Sequence, residues 1–428
     1  MRKLLILADD LSGAADCANA CTSSGLNAVV SFEDLDEDLQ GEVLSIDCDT
    51  RHLSPAEAAA RITSVMQSPL LRQPGQLVFK KVDSTLRGNV GSELRATLDE
   101  RRASSSNRIV AVMAPAFPAG GRTTIDGYQL LHGVPLDETE IWLHNGLSGV
   151  AHLPTMLNQA GLSTSLLTLS RVRDNSASLR SNMLQLATQA DVIICDVETD
   201  DDLSAIAHAS FTLGRETIWA GSAGLAYQFP GAAGLSPTSP PIEQPEFSLG
   251  PILFVVGSMS SVSHRQARNL EDATPVTPIH ILPSVLLEGP SQSTWNVVAD
   301  RIHASLQSGN DTLVVLDANE WVDLQERRRL TDALGLMLAP QATLVGGLVA
   351  TGGETARAIL DGWGIASLFM LGELERGLPF SFARIDGRPL PLLTKAGAFG
   401  SQETLVSCWR FFTSLLREQD YATVRKLL

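Results

Sequence analysis

Residues 78–93 read Val-Phe-Lys-Lys-Val-Asp-Ser-Thr-Leu-Arg-Gly-Asn-Val-Gly-Ser-Glu. An apolar strand beginning at Leu77 runs into two lysines, an aspartate, two hydroxyls and an arginine, and then into a helical pattern. An open α/β sheet receives its ligand at the carboxyl ends of its strands, so charges of both signs at a strand end mark a binding crevice. Lys80, Lys81 and Arg87 suit anionic oxygens, and Asp83 suits a hydroxyl proton. The set fits phosphoryl transfer to a small acid better than it fits a core strand.

Working outward, apolar runs alternate with amphipathic ones. Strands are expected near 3–8, 27–31, 43–47, 77–80, 109–113, 164–168, 191–195 and 217–220, and helices near 12–24, 55–67, 89–102, 176–189 and 202–214. The strand segments are rich in Val, Ile and Leu without strict alternation, which indicates burial on both faces and a mostly parallel sheet. Residues 229–250 contain Pro230, Pro237, Pro240, Pro241 and Pro245 among Gly, Ser and Thr. That is a semi-extended linker. A second pattern follows, with strands near 251–257, 312–317, 345–351, 367–371 and 390–394 and a helix near 402–417. The expected fold class is therefore α/β. Two α/β domains, each a mostly parallel sheet flanked by helices, span 1–230 and 251–428, joined by the linker at 231–250.

Composition narrows the function. At 428 residues the chain exceeds one ordinary core. It is 44% hydrophobic and 19% charged, which is globular. The net charge of −16 argues against nucleic acid or an anionic membrane as partner. No apolar run reaches a membrane span of ~20 residues, and the N-terminal apolar run is too short for a signal-peptide core. The five cysteines form no CxxC pair, and Cys17 and Cys21 read as reduced core residues. A cytoplasmic protein is the natural expectation.

Other strand ends carry similar chemistry. The first ends in Ala8-Asp9-Asp10 before Leu11-Ser12-Gly13. One acid can face a ligand while the other caps the helix, or Ser12 can be the cap. The third ends in Asp47-Cys48-Asp49-Thr50-Arg51-His52, where Arg51 is either a carboxylate clamp or the partner of Asp47 or Asp49. The stretch 114–127, with Arg122, Gly120 and Gly121, reads as a loop able to close over a ligand, or as a plain turn. Gly221-Ser222-Ala223-Gly224 is a weaker anion-binding turn. In the second half, three glycine-bearing turns follow strands: Gly257-Ser258, Gly352-Gly353-Glu354-Thr355 and Lys395-Ala396-Gly397. Together they suggest a polyphosphate or nucleotide. Lys395 either neutralises phosphate or sits on the surface. Gly353 stands where a P-loop needs lysine, no GxGxxG opens the first helix, and no paired-histidine metal pattern occurs among eight histidines.

In this combination and order, the segments Ala8–Asp16, Lys80–Gly91, Ala114–Gly127, Gly221–Ala226, Gly257–Ser263, Thr351–Ala358 and Thr394–Gly400 resemble the four-carbon acid sugar kinase family. The family includes D-threonate, D-erythronate and 3-oxo-tetronate kinases. The resemblance implies an enzyme, an ATP-dependent 4-phosphotransferase. It has a sugar-acid-binding first domain, a nucleotide-binding second domain and an active site in the cleft between them. The implied substrate residues are Asp10, Arg51, Lys80, Lys81, Val82 and Asp83, to which the charges at the strand ends add Asp9 and Arg87, with Asp83 or Asp10 as proton acceptor. The implied nucleotide residues are Ser258, Gly352, Gly353, Glu354, Thr355 and Gly397, to which the residue chemistry adds Lys395. ATP and Mg²⁺ are the expected cofactors, with no protein metal ligands. The partners are the small acid and ATP, and a homodimer is the default assembly. Leu11-Ser12 and Ala398 depart from the usual residues, Thr after the acid pair and a second glycine in the third loop. A dehydrogenase lacks its dinucleotide fingerprint here, and a non-catalytic cytoplasmic sensor would not need three phosphate-ready turns.

Overall fold

The computed structural model describes residues 2–32, 41–69, 71, 73, 75–317, 324–397 and 399–418. The chain divides into two compact units, Met1–Pro241 and Ile242–Leu428.

The first unit contains strands β1 (Leu4–Ala8), β2 (Ala28–Ser31), β3 (Val43–Asp47), β4 (Leu77–Lys81), β5 (Ala111–Ala114), β6 (Arg122–Ile125), β7 (Tyr128–Leu131), β8 (Val134–Pro135), β9 (Thr164–Leu167), β10 (Val192–Cys195) and β11 (Ile218–Gly221). Its helices are α1 (Leu11–Thr22), α2 (Pro55–Gln67), α3 (Val90–Ala103), α4 (Glu140–His144), α5 (Leu153–Gln159), α6 (Leu169–Val172), α7 (Ser176–Ala187), α8 (Asp200–Ser210) and α9 (Ala223–Ala232). The main sheet runs β2-β3-β1-β4-β11-β5-β10-β9, and every pairing is parallel.

Handedness decides which face each helix covers. The crossovers carrying α1, α7 and α8 run one way along the sheet, while those carrying α2, α3 and α5 run the other. Accordingly α1, α9, α8 and α7 pack in one layer, and α2, α3 and α5 in another. The strands are buried end to end, as their unbroken apolar runs require. The order reverses at β1, with β3 on one side and β4 on the other. That is the switch point where a doubly wound sheet opens a crevice.

A small antiparallel sheet, β6-β7-β8, interrupts the pattern and was not expected. Its first turn is Asp126-Gly127, with both φ positive (50° and 75°), the geometry of a two-residue hairpin. Buried Asp196, just after β10, accepts from the backbone N–H groups of Asp126 and Gly127, each at 2.9 Å.

The second unit contains β12 (Ile252–Val256), β13 (Thr277–Ile281), β14 (Thr312–Leu316), β15 (Gly347–Thr351), β16 (Ser367–Glu375), β17 (Leu378–Ile385) and β18 (Arg388–Lys395). Its helices are α10 (Ser261–Ala273), α11 (Pro283–Glu288), α12 (Ser293–Gln307), α13 (Leu324–Leu338), α14 (Gly353–Gly362) and α15 (Thr404–Thr413). The order is β13-β14-β12-β15-β18-β17-β16, parallel as far as β18 and antiparallel through β17 and β16. Strands β13 and β17 are additions to the expected set. Helix α15 packs with α10 over an aromatic core that includes Phe254, Phe380, Phe411 and Phe412.

Asp196→Ala strips the acceptor from two turn N–H groups, that of Gly127 buried and that of Asp126 partly so. It should lower the unfolding free energy by about 2–3 kcal/mol, read from urea denaturation. An unchanged midpoint would mean the hairpin turn holds without it.

Candidate active site

Three neighbouring strands, β3, β1 and β4, deliver the charged residues of the first unit. In β4, adjacent side chains must leave on opposite faces. Lys80 goes toward α3, where its ammonium pairs with Glu93 at 2.7 Å and donates to the carbonyls of Lys81 and Leu7 at 2.9 and 3.2 Å. All three of its N–H bonds are used, and it is 1% exposed. Lys80 is therefore held as an internal brace. Val82 places its side chain in the core, and its N–H donates to the Gly221 carbonyl at 2.8 Å.

Lys81 goes toward α1. A methyl on Gly13 would collide with its ammonium, so the glycine is what admits the lysine there. Lys81 is buried, and its ammonium has no hydrogen-bond partner among the described residues. Burial disfavours its charge, but Asp9 and Asp10 outweigh that and hold its pKa above the usual lysine value.

The acid pair after β1 divides its labour. Asp10 is the cap of α1, its Oδ1 accepting from the Gly13 N–H at 2.9 Å, which settles the choice against Ser12. Arg51 donates through Nε to Asp9 and through Nη1 to Asp10, both at 2.7 Å. Its partners are thus this pair, not Asp47 or Asp49, and two of its donors are already engaged. Asp9 Oδ1 is buried without a partner among the described residues. Burial would raise the Asp9 pKa, but Arg51, Lys81 and Lys80 reverse this and hold it below the ordinary value.

Asp83 accepts from the Thr85 hydroxyl at 2.9 Å and pairs with Arg87 Nε. Burial opposes its charge, yet Arg87 and Arg51 hold its carboxyl well below the usual range. The loop 82–89 that carries it contains two left-handed residues, Leu86 (φ 57°) and Gly88 (φ 81°). Asn89 ties its end to the loop after β3, donating to the carbonyls of Thr50 and Leu53 at 3.0 and 2.9 Å. A small pocket is lined by Asp9, Lys80, Lys81, Val82, Asp83 and Arg87, among others.

Gly221 and Gly224 serve packing. A Cβ at either would press on the carbonyl of Ala114 or Ala116, and Ser222 Oγ donates to Ala116 O at 2.6 Å. This turn holds the loop after β5 and offers no anion site of its own.

In the second unit the three glycine turns come from adjacent strands, β12, β15 and β18. Gly257 admits Thr355, and Gly397 admits Ser258, with no room for a Cβ at either glycine. Gly352 (φ 94°) caps α14, which Gly353 opens. Ser260 caps α10 by accepting from the Val262 N–H at 3.2 Å. Two helix N-termini therefore converge beside these loops, a backbone cradle suited to anionic oxygens. Glu354 is exposed in the first turn of α14. Lys395 is buried, not superficial. Its ammonium donates to the carbonyls of Ala396, Gly397 and Phe399 at 2.9, 3.2 and 2.9 Å, so it braces the third loop and has no N–H left for phosphate. Burial brings its pKa down to about 8. Ala398 lies outside the described residues. Among the described residues no three His, Cys, Asp or Glu side chains gather to hold a metal ion, and no helix is long and apolar enough to cross a membrane. All five cysteines are buried and free.

Sequence reading missed Glu93, Asn89 and the role of Gly13. Glu93 looks like an ordinary first-turn acid of a helix, and its lysine partner lies in a preceding strand.

Comparison with known proteins now adds to the geometry. A family model described as the sugar-binding N-terminal domain matches residues 4–229, and one described as the nucleotide-binding C-terminal domain matches 253–405. A D-threonate kinase of Cupriavidus necator is 38% identical over 96% of this chain and 98% of its own. A D-erythronate kinase of Heliobacterium modesticaldum is 25% identical, covering 98% of this chain and 99% of its own. A 3-oxo-tetronate kinase of Burkholderia multivorans is 28% identical, with 97% of each chain covered. The fold matches a crystal structure from Salmonella typhimurium LT2 with a TM-score of 0.78 and 20% identity, over 96% of this chain and 99% of that one. Likeness across nearly the whole chain makes the molecule an enzyme of the small-molecule kinase class. It belongs to the four-carbon acid sugar kinase family.

Glu93→Ala removes the partner of Lys80 and should cost about 3–5 kcal/mol of stability, read from chemical denaturation. Pairing Lys80→Met with Glu93→Leu should recover most of it. A double variant as unstable as Glu93→Ala would refute the brace.

Proposed function

We propose that this chain transfers the γ-phosphoryl group of ATP to the C4 hydroxyl of a four-carbon sugar acid. D-threonate comes first among the candidates, ahead of D-erythronate and the 3-oxo-tetronates. The observation that carries this is the 38% identity, over 96% of the chain, to a D-threonate kinase. The first unit takes the acid and the second the nucleotide, in keeping with the descriptions of the matching family models. Reduced thiols favour a cytoplasmic setting.

In this reading Lys81 is the working lysine, because its ammonium is charged and without a hydrogen-bond partner, while Lys80 is committed to Glu93. Asp83 is the proton acceptor in preference to Asp10. Asp83 lines the pocket, whereas Asp10 is bound into a helix cap and to Arg51. A carboxylate with a depressed pKa is a weak base. That suits a loose phosphoryl-transfer transition state, in which positioning and charge matter more than proton abstraction. Asp9 Oδ1 is available to a second substrate hydroxyl. ATP would rest on the loops at Ser258, Gly352, Gly353, Thr355 and Gly397, with Glu354 at the rim. It supplies the phosphoryl group, and Mg²⁺, held mainly by phosphate oxygens and water, offsets its charge. The loop N–H groups offer fixed donors to developing negative charge.

A coupled ADP-release assay should give its highest kcat/KM on D-threonate among D-threonate, D-erythronate, L-threonate and a 3-oxo-tetronate. No ATP-dependent turnover on any of them rejects the reading. Asp83→Asn should lower kcat by ~10²–10⁴, with Asp10→Asn losing far less; the reverse ranking would exchange their roles. Lys395→Met should lower kcat/KM for ATP by about 10–10²-fold, while KM for the acid stays put. An effect on the acid instead would move Lys395 out of the nucleotide loop.

A further inference from the structure

The cations of the first unit do not all have carboxylate partners. Arg51 is held by Asp9 and Asp10, Lys80 by Glu93, and Arg87 by Asp83. Lys81 and Arg122 are near enough to Asp83 for its charge to act on them, yet neither has a carboxylate within ion-pair distance among the described residues. Lys81 has its part in the reading above. Arg122 has none so far.

Arg122 is mounted rigidly. Its backbone opens β6 opposite Leu131 of β7 and also bridges Phe117, with N–H to O bonds of 2.9 and 3.1 Å in the two directions. Its guanidinium folds back over Gly120, donating through Nη1 to the Gly120 carbonyl at 2.8 Å. A Cβ on Gly120 would collide with that same nitrogen, so the glycine makes the space. Arg122 Nε is buried and has no partner among the described residues. Asp83 and Arg87 are near enough to act on its charge, and burial, the largest influence, lowers its pKa. A desolvated guanidinium without a counter-ion costs free energy until an anion arrives.

We propose that Arg122 receives the carboxylate of the sugar acid, its Nε edge presenting the planar donor pair that a carboxylate matches. This rests on the reading of the chain as a sugar-acid kinase and names the residue that makes the substrate an acid. Asp83 is near enough to act on the charge of Arg122, so in this proposal the carboxylate is one anchor of a short chain whose hydroxyls reach Asp83 and Asp9. Lys81, on the α1 side of the sheet, is left to the phosphoryl group and the reacting oxygen. In this proposal Arg122 takes the substrate anion, while Arg51, bonded to Asp9 and Asp10, orders the acid pair.

The test compares D-threonate with D-threitol, which keeps the hydroxyls and lacks the carboxylate. Binding is followed by calorimetry and turnover by ADP release, on the full chain. The wild type should prefer the acid. Arg122→Gln should weaken D-threonate binding and raise its KM by about 10–10²-fold, with KM for ATP and the constants for D-threitol unchanged, so that the preference collapses. Arg122→Lys should recover part of it, restoring charge without the fork. A fall in kcat with D-threonate affinity intact would overturn the assignment and give Arg122 to the phosphoryl group. Equal losses for acid and polyol would overturn it in favour of a structural role. If the wild type binds D-threonate but never phosphorylates it, the kinase reading fails while Arg122 is still judged from the binding data. If it binds none of the four acids, both fall.

Discussion

Two lysines in succession at the end of a buried strand cannot share a face. That constraint organises the first unit. One lysine is driven toward α3 and consumed by Glu93, and the other is driven toward α1, where it lines the pocket. The glycine at the start of α1 exists in the structure as room for the second ammonium. Asp9 and Asp10, at the end of the adjacent strand, keep that ammonium charged and are themselves bonded to Arg51. The crevice is thus a consequence of strand alternation applied to an unusual dipeptide.

The two units solve the problem of holding anions differently. The first uses side-chain charges, most of them neutralised in pairs before any ligand arrives. Such buried pairs contribute little net stability, because desolvation offsets their attraction; what they provide is geometry. The second turns its one loop lysine inward onto three carbonyls and leaves the outward face to backbone N–H groups at two helix starts. Side chains there act as spacers: Thr355 and Ser258 occupy the volume that a Cβ on Gly257 or Gly397 would need.

Much of this was legible in the sequence, and the omissions have physical causes. The parallel strands announced themselves as uninterrupted apolar runs, and the chemistry at their ends followed from position in an α/β sheet. What could not be read was which charge meets which. Arg51 pairs across 41 and 42 residues with the acid pair, not with its neighbours Asp47 and Asp49. Lys395 is adjacent to a loop rich in carbonyls, yet it is buried near Cys408 of α15 and Glu375 of β16, residues remote from it in sequence or in a different strand. The antiparallel hairpins were legible and missed: Asp126-Gly127 and Asp386-Gly387 each join two strands, with both residues of each pair at positive φ. Helix α12 lacks any side-chain cap at Gln292, so no start signal marked it.

The Lys80–Glu93 pair also has a thermodynamic consequence. It joins the last turn of strand β4 to the first turn of α3, and so clamps both ends of the loop that carries Asp83 and Arg87. With Leu86 and Gly88 already in left-handed conformations and Asn89 anchored, that loop has few alternatives left to sample. Its ordering entropy is lost when the unit folds, not when a ligand binds. A molecule of only a few heavy atoms has little interaction energy to spend on arranging a site, so rigidity supplied in advance is what lets so small a ligand be held at all.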